Sequence, residues 1–153
     1  MQQEKSTAKV LEELNKVRSF REAETVIGND SNFSNRTFRE YFNEYMIKKG
    51  ISSPARIIKD SGLSRQYAYD VINGVKNGSR DKIIALCYAA GMSLNEVNHA
   101  LTYSGHSQLY AKDKRDAVLI MAFNMKKETG TLKTVTDLDI YLDENNLKPL
   151  NDI

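Results

Sequence analysis

Residues 57–79 read IIKDSGLSRQYAYDVINGVKNGS, and this stretch decides the fold. A short helix runs into the three-residue turn Gly62-Leu63-Ser64, and a second helix leaves it and stops at Asn73-Gly74. Gly62 permits a sharp reversal that a side chain would resist. Leu63 is placed to fill the gap between the two helices. Ser64 is a capping residue, with its oxygen free to meet the first orphan amides of the second helix. Ala68, Val71 and Ile72 lie on one side of that helix and predict its buried face. Gly74 lets the chain turn back. The spacing is that of a helix-turn-helix, whose second helix can lie in a DNA major groove.

Working upstream, Thr37 and Glu40 have the spacing of a capping box, and Phe38, Tyr41, Phe42, Tyr45 and Met46 follow at helical intervals. Lys48 and Lys49 suit the negative end of that helix, and Gly50 ends it. Ser53-Pro54 reads as an N-cap followed by proline at the first helical position, opening a short helix over about residues 54–61 with Ile57 and Ile58 inward. Further upstream, Val10, Leu11, Leu14 and Val17 have helical spacing, and Ser19 with Glu22 predicts a second short helix ending near Gly28. Asn29–Asn35, rich in turn formers, reads as a linker.

Downstream, Ser79 is expected to cap a central helix in which Ile83, Ile84, Leu86, Cys87, Ala89 and Ala90 are nearly all apolar. Ser93 and Glu96 form another capping box, opening a helix with Leu94, Val97, Ala100 and Leu101 that ends at Gly105. After a loop over 106–112, Asp113 caps a long helix from Lys114 to about Glu128. Its consecutive Val118–Phe123 run predicts burial on most sides. Gly130-Thr131 is read as the opening of the last helix, with Val135, Leu138, Tyr141 and Leu142 on one face. The alternation over 135–140 also suits a strand, but a lone strand has no partner, so a helix is expected.

A weak internal repeat is visible. Arg80-Asp81 leads to Ser93-Leu94 and Val97, as Arg115-Asp116 leads to Thr131-Leu132 and Val135. The offset is 35 at the start and 38 at the end, which puts three extra residues near Lys126–Glu128 in the second copy. A true structural repeat and a chance likeness of two capped hairpins are both open on this pattern.

The 153 residues include two prolines and one cysteine, with 41% hydrophobic residues, which suits a helical globular chain rather than a disordered or fibrous one. One cysteine excludes an internal disulfide framework and a cysteine-based zinc site. No apolar run reaches the roughly 18 residues of a membrane span, and no signal peptide is expected, so the expected location is cytoplasmic, without a membrane partner. The net charge of +2 is unevenly spread: residues 36–105 hold ten Lys/Arg against six Asp/Glu, while each flank is slightly acidic. Cys87 reads as a small core residue, and Tyr41, Tyr45, Tyr88 and Tyr103 as packing residues. His99 and His106 lack a catalytic grouping. No enzymatic activity, cofactor or metal is expected. The two sequons Asn32-Phe33-Ser34 and Asn35-Arg36-Thr37 carry no meaning without export.

On Gly62-Leu63-Ser64-Arg65, Val71, Gly74, Ser79 and the apolar helix that follows, residues 41–101 resemble the Cro/cI-type (XRE-like) helix-turn-helix domain of bacterial and phage repressors, here with extra N- and C-terminal helices. The resemblance implies an all-α protein: a five-helix core in a domain over 36–105, an N-terminal helical arm and linker over 1–35, and a C-terminal helical hairpin over 106–153 packed on the core. It implies sequence-specific binding of double-stranded DNA in transcription regulation, as a repressor. The positions that match the family's DNA-contacting set are Ser64, Arg65, Gln66, Tyr67 and Asp70 on the second helix, Tyr69 towards the backbone, and Lys76 and Asn77 in the following loop. Arginine pairs bidentately with guanine, and glutamine with adenine. Three positions depart from the pattern. Pro54 stands where the family has a phosphate-donating Gln, Ile58 replaces a small Ala, and Asp70 stands where Arg or Gln is frequent. Asp70 can accept from cytosine or orient Gln66 one turn away. These departures and the modest charge keep a second reading open: a protein-interaction adaptor or antitoxin-like partner that retains the fold without binding DNA. A homodimer is expected through the hairpin over 113–147, because its apolar surface exceeds what two helices bury.

Overall fold

The computed structural model describes residues 5–29 and 36–152, and every regular element among them is helical. All of the expected linker over 29–35 except Asn29, and most of both sequons, fall outside the described residues. The chain divides into two units, Met1–Arg36 and Thr37–Ile153.

The first unit holds α1 (Thr7–Asn15) and α2 (Phe20–Ile27). Ser6 Oγ accepts from Lys9 N, and Ser19 Oγ accepts from Glu22 N. The Ser19–Glu22 box is skewed by one residue, since Glu22 Oε2 accepts from Arg18 N rather than from Ser19. Neither helix has a buried residue.

The second unit runs α3 (Phe38–Lys48), α4 (Ala55–Ser61), α5 (Arg65–Ile72), α6 (Arg80–Ala89), α7 (Leu94–Tyr103), α8 (Lys114–Thr129) and α9 (Val135–Glu144). α6 is its axis, with α4, α7 and α9 all packing on it. Ile83 to Tyr88 are each 1% exposed or less, as a central apolar helix requires. The predicted stripe on α3 is the core face: Phe38, Phe42, Tyr45 and Met46 are buried. Two hydroxyls fasten α3 to its neighbours, with Tyr45 donating to Ala90 O at 2.7 Å and Tyr41 to Glu96 O at 3.1 Å. Burial pushes the Tyr45 hydroxyl up to about 12 and raises the Cys87 thiol, which is wholly enclosed.

Several local expectations need correction. Pro54 is itself the N-cap of α4, and Ser53 Oγ accepts from Ala55 N. Ser79 stands at the N-cap of α6 but makes no capping bond with its side chain. The last helix does not open at Thr131. Gly130 closes α8 in the left-handed region, and Thr134 caps α9 in a reciprocal box with Asp137. Between them Leu132 sits at φ 52°, a conformation that costs a side-chain-bearing residue about 1–3 kcal/mol, and its carbonyl accepts from the buried Tyr88 hydroxyl. α8 is not enclosed on most sides: it buries Asp116, Leu119, Ala122 and Phe123 and leaves Met121 53% exposed. On α9, Val135, Leu138 and Leu142 are buried, but Tyr141 lies at the exposed edge.

The repeat is real in three dimensions, with a different register. α7 and α9 match at an offset of 41. The Ser93–Glu96 box corresponds to Thr134–Asp137, and the buried pair Val97 and Leu101 to Leu138 and Leu142. The positive-φ exit at Gly105 corresponds to Asn146, and His106 N on Leu101 O corresponds to Leu147 N on Leu142 O. Asn98 Oδ1 accepts from Leu109 N, as Asp139 Oδ1 accepts from Leu150 N. The helices that begin the copies match at an offset of 35, and α8 has 16 residues where α6 has 10, so six extra residues, rather than three, lengthen the second copy.

The two copies brace each other reciprocally. Arg80 makes a two-pronged pair with Asp116 at 2.8 and 3.1 Å, and Arg115 reaches Asp81 at 2.9 Å. Each guanidinium also holds the chain that returns from its own copy: Arg80 donates to Ser107 O and Gln108 O, and Arg115 to Lys148 O and Pro149 O. Contacts follow the same exchange, with α6 packing on α9 and α7 on α8.

Asp116 is 6% exposed. Burial opposes its charge, yet the Arg80 hydrogen bonds, the Tyr110 N–H and the charges of Arg80 and Arg115 together hold its carboxyl below the usual range. A depressed folded value means stability that is complete above the ordinary carboxylate range near pH 4 and is lost as pH falls through the folded value. Arg80→Ala strands this buried carboxylate and frees two carbonyls. The expected cost is about 2–4 kcal/mol in chemical denaturation at pH 7. Removing the arginine also takes away the strongest of the groups that depress the Asp116 carboxyl, leaving the Tyr110 N–H and Arg115, so the variant loses less stability than the parent between pH 5 and pH 3.

Candidate nucleic-acid interface

α4 and α5 meet through Gly62-Leu63-Ser64. Gly62 has φ 73°, and a Cβ there would stand 2.8 Å from Asn151 Nδ2. The left-handed turn favours glycine here, and a side chain at this position would also have to displace the Asn151 amide. Ser61 Oγ accepts from Leu63 N, and Ser61 O accepts from Asn151 Nδ2. Lys82 Nζ donates to Asn151 Oδ1 and Leu150 O, fixing that segment from the α6 side. The turn is thus buttressed from two directions.

α5 is locked from within and open without. Ala68, Val71 and Ile72 are buried, and α3 and α4 pack on the helix. Ser64 Oγ accepts from Tyr67 N at 3.3 Å, so the helix begins where the sequence predicts. Ser64, Arg65 and Gln66 are exposed, while Tyr67 and Tyr69 are half-buried against the core. The Arg65 guanidinium lies 5.7 Å from the centre of the Tyr69 ring, one turn on. Ile58, standing where a small residue is usual in the resembled family, is itself buried, and beside it a cleft of about 320 Å³ opens between Lys59, Arg65 and Tyr69.

Asp70 is the electrostatic centre of this surface. Its Oδ1 accepts from Gln66 Nε2 at 3.0 Å, and its Oδ2 stands 3.6 Å from Lys76 Nζ. Its carbonyl accepts from Val75 N and Lys76 N and folds the exit loop back against α5. Asp70 therefore orients Gln66 across one turn and also draws Lys76 inward. Asn77 is exposed beside it.

Arg39 joins this group, a residue the sequence reading did not select. A Cβ built on Gly74 would lie 3.4 Å from Arg39 Cδ, so the arginine runs along the exit loop. Arg39, Lys76, Asn77 and Tyr103 line one cleft of about 680 Å³ floored by Phe38 and Ile83. The signal was an exposed cation in the first turn of α3, next to Phe38 at the start of the predicted apolar stripe. Arg56, at the start of α4, is exposed and 3.4 Å from Asp60. Pro54 offers that end of α4 no side-chain donor. Among the described residues, no three His, Cys, Asp or Glu side chains converge as a metal site requires, and no helix is long and apolar enough to cross a membrane.

Family models, curated proteins and solved structures yield no match to this chain.

Two substitutions separate architecture from charge at this surface. Ser64→Ala leaves the first amides of α5 uncapped and is expected to cost about 1 kcal/mol in urea denaturation. Asp70→Asn removes an ion pair whose lysine is mostly in water, and is expected to change stability by less than about 1 kcal/mol in the same experiment.

Proposed function

We propose that this protein is a sequence-specific DNA-binding regulator of transcription, acting as a repressor in the cytoplasm, with a Cro/cI-like five-helix core formed by α3 to α7. The observation that carries the reading is the division of α5. Its inner face is immobilised by Ala68, Val71 and Ile72, while Ser64, Arg65 and Gln66 stand in water at its leading end. A rigid helix with exposed multidentate donors at its N-terminal turn is what major-groove readout requires. Arg65 is proposed to read guanine and Gln66 adenine, with Asp70 fixing the Gln66 amide. Tyr67 and Tyr69 flank the base-reading residues, and Lys76, Asn77 and Arg39 contact phosphates. Binding, not catalysis, is the proposed activity.

The adaptor or antitoxin-like reading draws on one observation of its own. Asp70 occupies the Gln66 donor and offsets the Lys76 charge, so part of the surface is already satisfied without DNA.

Gel-shift titration against DNA from upstream of the protein's own reading frame, at two salt concentrations, tests the proposal. Arg65→Ala should cost about 1–3 kcal/mol and relax preference at one base position. Lys76→Ala should weaken binding to every sequence and reduce the salt slope by about one. Asp70→Asn should raise affinity for random DNA while lowering it for the operator. Absence of binding by the parent and by Asp70→Asn alike would leave the adaptor reading in its place.

A further inference from the structure

The internal repeat exposes an incomplete packing arrangement. α6 and α8 touch each other through Tyr88 and Phe123. Besides that contact, α6 carries α4, α7 and α9, whereas its counterpart α8 carries α7 and α9. The exchange of α7 and α9 between the copies accounts for two of the three, so α4 has no equivalent on α8. Met121 corresponds to Leu86 at the offset of 35. Leu86 is fully buried, whereas Met121 is 53% exposed, and Met125, one turn on, is 36% exposed.

The residues along this open side of α8 say what covers it. Lys114, Ala117, Met121, Met125 and Glu128 follow one another at helical spacing, with Val118 half-buried beside them. Lys114 stands seven residues before Met121 and Glu128 seven residues after it. The seam is therefore complementary to itself when reversed: an antiparallel copy sets Lys114 against Glu128, Ala117 against Met125, and Met121 against its own image. Lys114 and Glu128 also sit at the helix ends that the macrodipole disfavours for their charges. A cross-chain pair relieves both. Ala117 leaves room for close approach, and methionine side chains fill an irregular contact.

We propose that α8 packs antiparallel on α8 of a second copy of this chain, across a two-fold axis at Met121. The proposal does not rest on the DNA reading, since a regulator and an adaptor would dimerise alike.

The test uses the full chain. Light scattering should give a dimer at micromolar concentration. Met121→Glu places two carboxylates on the axis and should raise the dissociation constant on the order of a hundredfold, with unchanged helical circular dichroism because the site is exposed within one chain. Lys114→Glu should weaken the dimer by about five- to tenfold, and the double variant Lys114→Glu/Glu128→Lys should restore it. Met121→Cys should give a covalent dimer on mild oxidation, the buried Cys87 staying unreacted. A full-chain monomer at 100 micromolar overturns the proposal, and a drop in melting temperature for Met121→Glu in that monomer would place part of the same chain over the seam. A dimer indifferent to Met121→Glu that does not cross-link through residue 121 also overturns it, by placing the interface elsewhere.

Discussion

Two helix N-termini, those of α6 and α8, stand side by side in this molecule, and their positive dipole ends repel one another. Asp81 and Asp116, one in the first turn of each, cancel that repulsion, and each takes its arginine from the opposite helix. The rest of the second unit depends on this exchange. Arg80 and Arg115 spend their remaining donors on backbone carbonyls of the loops that return from α7 and α9. One planar group thus fixes a helix, a loop and a partner helix together. Lysine could supply the charge but not the fork, so an Arg-to-Lys change at either position is not conservative.

Much of the helical order was legible because it is written in local chemistry. The Ser93–Glu96 box, the Asp113 cap and the stripe Phe38-Tyr41-Phe42-Tyr45-Met46 are all choices made within one or two turns, and the structure has them. The misreadings have a common cause. Gly130 reads as an opening residue, yet it serves to close α8, and the chain then passes through Leu132 in a conformation that local propensity disfavours. What holds it there is the Tyr88 hydroxyl, 44 residues away. Likewise the extent of burial on α8 could not be read from its apolar run, because it depends on which helices arrive from elsewhere. The repeat was visible through its Arg-Asp dipeptides. Its register was not, since the box that marks the second copy is Thr-Asp where the first is Ser-Glu.

At the candidate interface, sequence spacing placed the turn, the cap and the exposed leading residues of α5. The link from Asp70 to Gln66 follows from one helical turn and was foreseeable. Its second link, to Lys76, arises only once the exit loop folds back on the Asp70 carbonyl. Arg39 belongs to the same surface through a contact across 35 residues, which no local pattern encodes.

The bond from Asn151 to Ser61 spans 90 residues. It joins the turn between α4 and α5 to a segment that leaves the ribosome long after that turn has emerged. During synthesis the α4–α5 pair must therefore exist for a time without this buttress, and without the Lys82 contacts to the same segment. Contacts of such sequence separation form late and carry the largest loop-closure cost. A nascent chain halted after α7 would present α5 on a looser hinge than one extended through Asn151, and emergence of the 149–151 segment would be the event that stiffens it.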